Sequence, residues 1–246
     1  MTETMGILAY GAHVPYRRLD RAAISDVMGS GGGQGWRSVA SFDQDTTTMG
    51  VEAARQALAA TDLDPEALWF STVAPAYLDK TNATTVHAAL RLDAAASALD
   101  LGGAVRSAVG ALRSALTGPG RTLVVSSDLR VGLPTSADES LGGDAAAAVL
   151  TGSAADGPLL AEYLGGASAT AEFLDRWRTP GDVTSRTWEE RFGEEAYGPL
   201  VEQAWAAALA DIGLAADDID TAIVTGLHGR AVKRLGGRLG VAVADD

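Results

Sequence analysis

The sequence predicts an α/β fold with a largely parallel sheet, and three observations carry that prediction. Short apolar runs such as LWFSTVA (68–74) and TLVVSSD (122–128) alternate with stretches of helical periodicity. Clusters of Gly, Pro, Asp and Ser punctuate them. The pattern restarts after the SAADGP turn at 153–158, so the chain reads as two related βαβ halves, 1–153 and 158–246.

Each element has its own signal. GILAYGAHV (6–14) is an apolar strand that Pro15 ends. Asp20 caps a short helix over 20–28, and the glycine-rich GSGGGQG (29–35) follows as a flexible loop. No Lys-Ser or Lys-Thr follows those glycines, so they do not read as a phosphate-cradling loop. Residues 45–60 form an amphipathic helix with Met49, Ala53, Ala57 and Ala60 on one face. LWFSTVA is a strand. A helix over 81–91 starts at Thr81 or Asn82, and SALDL (97–101) is a short buried strand. Gly103 to Leu116 is a helix of small residues, TLVVSSD a buried strand, and DAAAAVLTG (144–152) another.

In the second half LLAEYLGGA (159–167) reads as a strand and bend. A polar, aromatic-dotted insertion occupies 173–193. A long helix over 195–214 ends at Gly213, DIDTAIVTGL (218–227) is a strand, and 230–240 is a closing helix. Asp217, Asp218 and Asp220 read as a solvated turn and helix cap rather than a metal site. His87 reads as structural, and His13 is given no role.

Composition narrows the function. With 246 residues, 47% hydrophobic and 21% charged, the chain has ample material for a core and is not of disordered type. Its formal net charge of −13 argues against nucleic-acid partners and against anionic membrane surfaces. There is no cysteine, which removes disulfides, thiolate metal sites and cysteine nucleophiles together. The opening MTETMGILAYGAHVPY lacks a basic region followed by an apolar one, and no apolar run approaches about 18 residues. A cytoplasmic protein is therefore expected.

Several stretches carry a resemblance to a known family. They are GILAYGAHVPYRRL (6–19), RSVASFDQDTTTMGVEAARQAL (37–58), YLDKTNAT (77–84) and GGDAAAAVLTG (142–152). FLDRWRTPG (173–181) and ERFGEEAY (190–197) continue the series. In order and spacing the chain resembles the thiolase superfamily, in its 3-hydroxy-3-methylglutaryl-CoA synthase branch, with ketoacyl synthase III the next nearest relative. The resemblance implies a layered thiolase-like fold of two halves. Relative to the family the second half is expected to be incomplete, because the family continues well past the last helix here.

The family's chemistry uses a cysteine that takes up an acyl group, a histidine that orients the second substrate, and a glutamate that moves a proton. Local alignment puts Val105 at the cysteine position, Val73 at the glutamate position and Thr225 at the histidine position. His228 falls where the family has Asn. His228, Tyr77, Lys80, Asp128, Arg130 and Arg106 are the pocket candidates, and Arg106, Arg113 and Arg37 are candidate contacts for coenzyme A phosphates. No metal and no resident cofactor are expected; a coenzyme A thioester is the implied ligand.

Three functions follow from the resemblance. One is a degenerate subunit, a pseudoenzyme that binds or helps a partner handle acyl-CoA or acyl-carrier thioesters without Claisen condensation. Another is a cysteine-independent retro-aldol lyase on a CoA ester, working with an OB-fold partner of the DUF35 type. The last is a structural partner of an active paralogue. Dimerisation, with itself or with a relative, is implied in each case.

Overall fold

The computed structural model describes residues 3–244. The chain divides into two compact units, Met1–Tyr163 and Leu164–Asp246. Among the described residues no helix is long and apolar enough to cross a membrane.

The first unit is built on a six-stranded sheet. Its elements run β1 (Met5–His13), β2 (Arg18–Asp20), α1 (Ala22–Met28), β3 (Trp36–Ser38) and α2 (Thr46–Ala59). Then come β4 (Ala67–Ser71), α3 (Ala83–Leu90), β5 (Ser97–Asp100) and α4 (Arg106–Thr117). The unit closes with β6 (Thr122–Asp128), α5 (Ala137–Leu141), β7 (Ala145–Ser153) and β8 (Ala161–Glu162). The order across the sheet is β5-β4-β6-β7-β1-β8, while β2 and β3 pair separately as an antiparallel ribbon.

The sheet is mixed, which corrects the expectation of a largely parallel one. β5, β4 and β6 are parallel, but β7, β1 and β8 join antiparallel. A parallel neighbour needs a crossover that carries the chain back along the sheet. The five-residue α5 between β6 and β7 spans only about 7 Å, against about 23 Å for the seven-residue β6. No helix in that connection runs the length of the sheet, and β7 returns beside β6 in the opposite direction. Residues 158–163, assigned to the second half from sequence, run against β1 and include β8.

Two faces of this sheet are covered differently. On one, Met49, Ala53, Ala54 and Ala57 of α2 and Val86 of α3 pack on Leu68, Phe70, Leu123, Val125 and Leu150, all fully or almost fully buried. Burying each large apolar chain contributes roughly 1.5–3 kcal/mol. α2 starts with a capping box in which the Asp45 carboxylate accepts from the Thr48 N–H at 2.7 Å and the Thr48 hydroxyl accepts from the Asp45 N–H. Ala60, expected on the buried face, is exposed just past the helix end. On the other face Ala111 and Ala115 of α4 pack on Val124, with Trp69 and Leu101 at the border.

β5 is not the buried strand expected. It lies at the sheet edge, and Leu99 is 41% exposed. The helix expected from Gly103 begins three residues later, at Arg106.

In the second unit β9 (Arg176–Trp177) and β10 (Arg186–Thr187) pair antiparallel within the 173–193 insertion. α6 (Glu190–Ile212) starts earlier than expected and ends at Gly213, whose φ of 69° closes the helix in the left-handed region. A 3-10 turn at Ala216–Asp218 and α7 (Gly229–Gly236) complete it. The Asp218 carboxylate accepts from the Ala215 N–H, the capping role expected for that acidic run. The strand expected at 218–227 is absent: only Ala222 forms a bridge, to Val243. Its alternation is strand-like, but Ile223 is 80% exposed, and a lone extended segment without a sheet to join has little to hold it.

Candidate functional site

Three parallel strands end side by side at one sheet edge, the edge at which open α/β sheets bind ligands. β4 runs into Thr72 and Val73, β6 ends at Asp128, and β5 ends at Asp100. The Asp128 carboxylate holds the first of these turns. One of its oxygens accepts from the Val73 N–H at 2.8 Å and from the Thr72 hydroxyl at 3.1 Å. The Thr72 Oγ1 in turn accepts from the Ala74 N–H, and the Thr46 hydroxyl donates to the Ala74 carbonyl. Val73 thus sits in a turn whose backbone is fastened on both sides.

The second turn leads from Asp100 into α4. Gly103 adopts φ 99°, a conformation that L side chains rarely take, and Val105 occupies the N-cap of α4 with 39% of its surface exposed. The Ser107 hydroxyl donates to the Gly102 carbonyl at 3.1 Å. A cleft of about 500 Å³ opens beside this turn, lined by Trp69, Leu99, Leu101, Ser107, Ala111 and Ser114. The side chain of Arg106, the first residue of α4, is exposed and makes no hydrogen bond or ion pair among the described residues. Arg113 lies seven residues further along the same helix, about 10 Å down its axis.

Asp100 also reaches back to α3. Its carboxylate accepts from the N–H groups of Asn82 and Ala83 at 2.7 Å each. Tyr77 and Lys80 stand on the loop before this helix, with the Lys80 ammonium 5.1 Å from the centre of the Tyr77 ring. Tyr77 is 54% exposed.

Arg37 is not available to a phosphate, contrary to its sequence reading. Its guanidinium is buried and donates to the carbonyls of Glu139 at 2.7 Å and Arg130 at 3.0 Å. It also pairs with Asp144 at 3.4 Å. The Asp144 carboxylate accepts in addition from the N–H groups of Ala40 and Arg130. Arg130 is thus tied by its backbone to this buried hub. Sequence reasoning passed over the Asp144 hub and the Asp100–Asn82 link, because their partners lie far along the chain.

In the second unit His228 is the N-cap of α7. Its Nδ1 accepts from the Ala231 N–H at 3.0 Å, so in the neutral ring the proton is on Nε2. Gly193 of α6 lies against the Tyr197 ring and near the His228 ring. Thr225 is exposed in the non-strand segment before α7.

No family model matches the chain. Over 250 residues it is 31% identical to the hydroxymethylglutaryl-CoA synthase of Aeropyrum pernix, covering 96% of this chain and 68% of that one. It is 29% identical over 228 residues to the synthase of Pyrococcus furiosus, covering 89% of this chain but only 65% of the relative's length. Among solved structures, 3-oxoacyl-(acyl carrier protein) synthase III of Pseudomonas aeruginosa is similar with a TM-score of 0.83 at 18% identity, over 99% of this chain and 83% of that one. An HMG-CoA synthase solved in complex with CoA also gives 0.83, at 19% identity, over 96% of this chain and 63% of that one. Fold, spacing and identity agree, and the chain belongs to the hydroxymethylglutaryl-CoA synthase family of the thiolase superfamily.

Proposed function

We propose that this chain binds acyl thioesters of coenzyme A or an acyl carrier without forming an acyl-cysteine intermediate. The observation that carries the reading is chemical. A synthase of this family takes its acyl group onto a thiolate, and the sequence contains no cysteine. Val105 stands at the α4 N-cap, where local alignment puts the nucleophile, and an isopropyl group cannot accept an acyl group. Val73 and Thr225 in the other two positions are consistent with the same loss. Coenzyme A as ligand is supported by the solved relative that holds it.

The reading is tested by incubating the pure chain with radiolabelled acetyl-CoA. Reversible binding with no radioactivity retained after denaturation is expected. Stoichiometric covalent acetyl transfer overturns the proposal.

One observation favours a second reading, a retro-aldol lyase. The Asp128 carboxylate stands beside Val73 and uses a single oxygen for its hydrogen bonds; the other makes none among the described residues. Such a carboxylate suits taking the 3-hydroxyl proton of a 3-hydroxyacyl thioester, whose oxygen becomes the carbonyl oxygen of the aldehyde or ketone released. The C2–C3 bond then breaks, its electrons pass toward the thioester carbonyl, and C2 is reprotonated. Release of an aldehyde or ketone from a 3-hydroxyacyl-CoA, by the chain alone or with an OB-fold partner, separates this reading from the first.

A second copy of the chain, or a relative, is the proposed neighbour of β5. This edge strand presents unpaired backbone groups, with Leu99, Val105 and Val109 exposed nearby. Light scattering on the purified chain reports the mass directly.

A further inference from the structure

Asn82 is 2% exposed, and both polar atoms of its side chain are engaged. Its Oδ1 accepts from the Tyr77 N–H at 3.0 Å. Its Nδ2 donates to the carbonyls of Tyr77 at 3.0 Å and Lys80 at 3.2 Å, and to Asp100 at 3.1 Å. One amide therefore closes the 77–82 loop on itself and fastens it to the last residue of β5, five residues before Val105. The loop gains from such a fastening, since Asp79 within it sits at φ 63°, in the left-handed region that residues other than glycine adopt rarely.

What the loop displays is also fixed. The Lys80 ammonium donates to the Thr85 hydroxyl at 2.6 Å and lies over the half-exposed Tyr77 ring. An exposed lysine ordinarily keeps most of its rotamer freedom. Here both ends of the display are held, the backbone by Asn82 and the ammonium by Thr85.

We infer that Asn82, with Asp100 behind it, is a positioning residue that holds Tyr77 and Lys80 in fixed register with the turn carrying Val105. The inference rests on the thioester-binding reading above for the purpose of the display, but not for its geometry. A residue that merely caps α3 would affect the stability of that helix and leave the Lys80 environment unchanged.

The sequence supplies an internal reference, because Lys80 and Lys233 are its two lysines. Trace acetylation of the full chain with acetic anhydride, followed by peptide mapping, gives the Lys80/Lys233 reactivity ratio. In Asn82→Ser, which leaves the Asp100 cap on the α3 N–H groups available but lacks the side-chain reach to the loop, the ratio is expected to rise about threefold or more, with exchange in α2 and β6 unchanged. An unchanged ratio in the folded variant overturns the inference. On the native chain alone, the Tyr77 N–H must exchange at least about tenfold more slowly than an unprotected amide, and free exchange there overturns the inference even where the variant does not fold. Saturating coenzyme A is expected to lower native Lys80 reactivity. Absence of that protection counts against the thioester reading, while the variant ratio still decides the positioning role.

Discussion

Val105 occupies a backbone position that would activate a thiol if one stood there. It precedes the first turn of the 12-residue α4, where the positive end of the helix dipole favours an anion. In Val105→Cys the new thiol, alone in a chain without cysteine, is expected to have a pKa below the usual value of about 8.5. It should alkylate with iodoacetamide several-fold faster at pH 7 than the more exposed thiol of Val109→Cys; equal rates would refute the dipole argument. Asp144 makes a different kind of point. Removing its carboxylate leaves the buried Arg37 guanidinium without its counter-charge and two N–H groups without an acceptor. Asp144→Ala should therefore lose about 3 kcal/mol or more, read as a lower urea midpoint. Arg37 was legible in the sequence only as a cation, which is why it read as a phosphate contact. Its partner lies 107 residues away, and nothing local announces it. Asn82 was legible as a helix start, but its hold on Tyr77 depends on how the loop folds back.

At the scale of elements, α2 was readable because its cap, its period and its small residues agree. β5 and the 218–227 segment were misread for one reason: an apolar alternating run shows that a strand is possible, whereas burial and pairing depend on neighbours. α5 was not foreseen, being a five-residue helix set by the Ser136 hydroxyl, which accepts from the Glu139 N–H. The glycines give the sharpest test of packing between elements. A Cβ on Gly11 of β1 would lie 2.3 Å from the Ala53 carbonyl oxygen and 2.5 Å from the Ala57 nitrogen, both backbone atoms of α2. Gly11→Ala should destabilise by about 2 kcal/mol or more, since helix and strand must separate. Gly110 of α4 meets open space, so Gly110→Ala should stabilise by about 0.5–1 kcal/mol through helix propensity alone. Thermal melts of the two variants should move in opposite directions.

Across the whole molecule, acidity sets the response to pH. Backbone and side-chain hydrogen bonds from Ser153, together with the Arg121 guanidinium at 2.8 Å, hold Asp156 below the usual carboxylate range. Its pKa is lower folded than unfolded, so its contribution is fully present above the unfolded value of about 3.9. That contribution is lost as pH falls through the folded value. Asp156→Asn should weaken the chain near neutrality and flatten its loss of stability below about pH 4, as followed by urea titrations at several pH values; an unchanged acid slope would refute the assignment.

The place of β1 in the sheet has a consequence for how the chain comes into being. β1 is synthesised before any other strand described, yet it lies between β7 and β8, the last two strands of its unit. During translation it emerges with no antiparallel mate and must wait until nearly the whole unit has left the ribosome. Until then the apolar run Ile7–Ala9 has only transient shelter, and a ribosome stalled before β7 holds a nascent chain whose sheet cannot close. The folding step that commits the unit therefore comes at the end of its synthesis, and that interval is when chaperones would matter most to it.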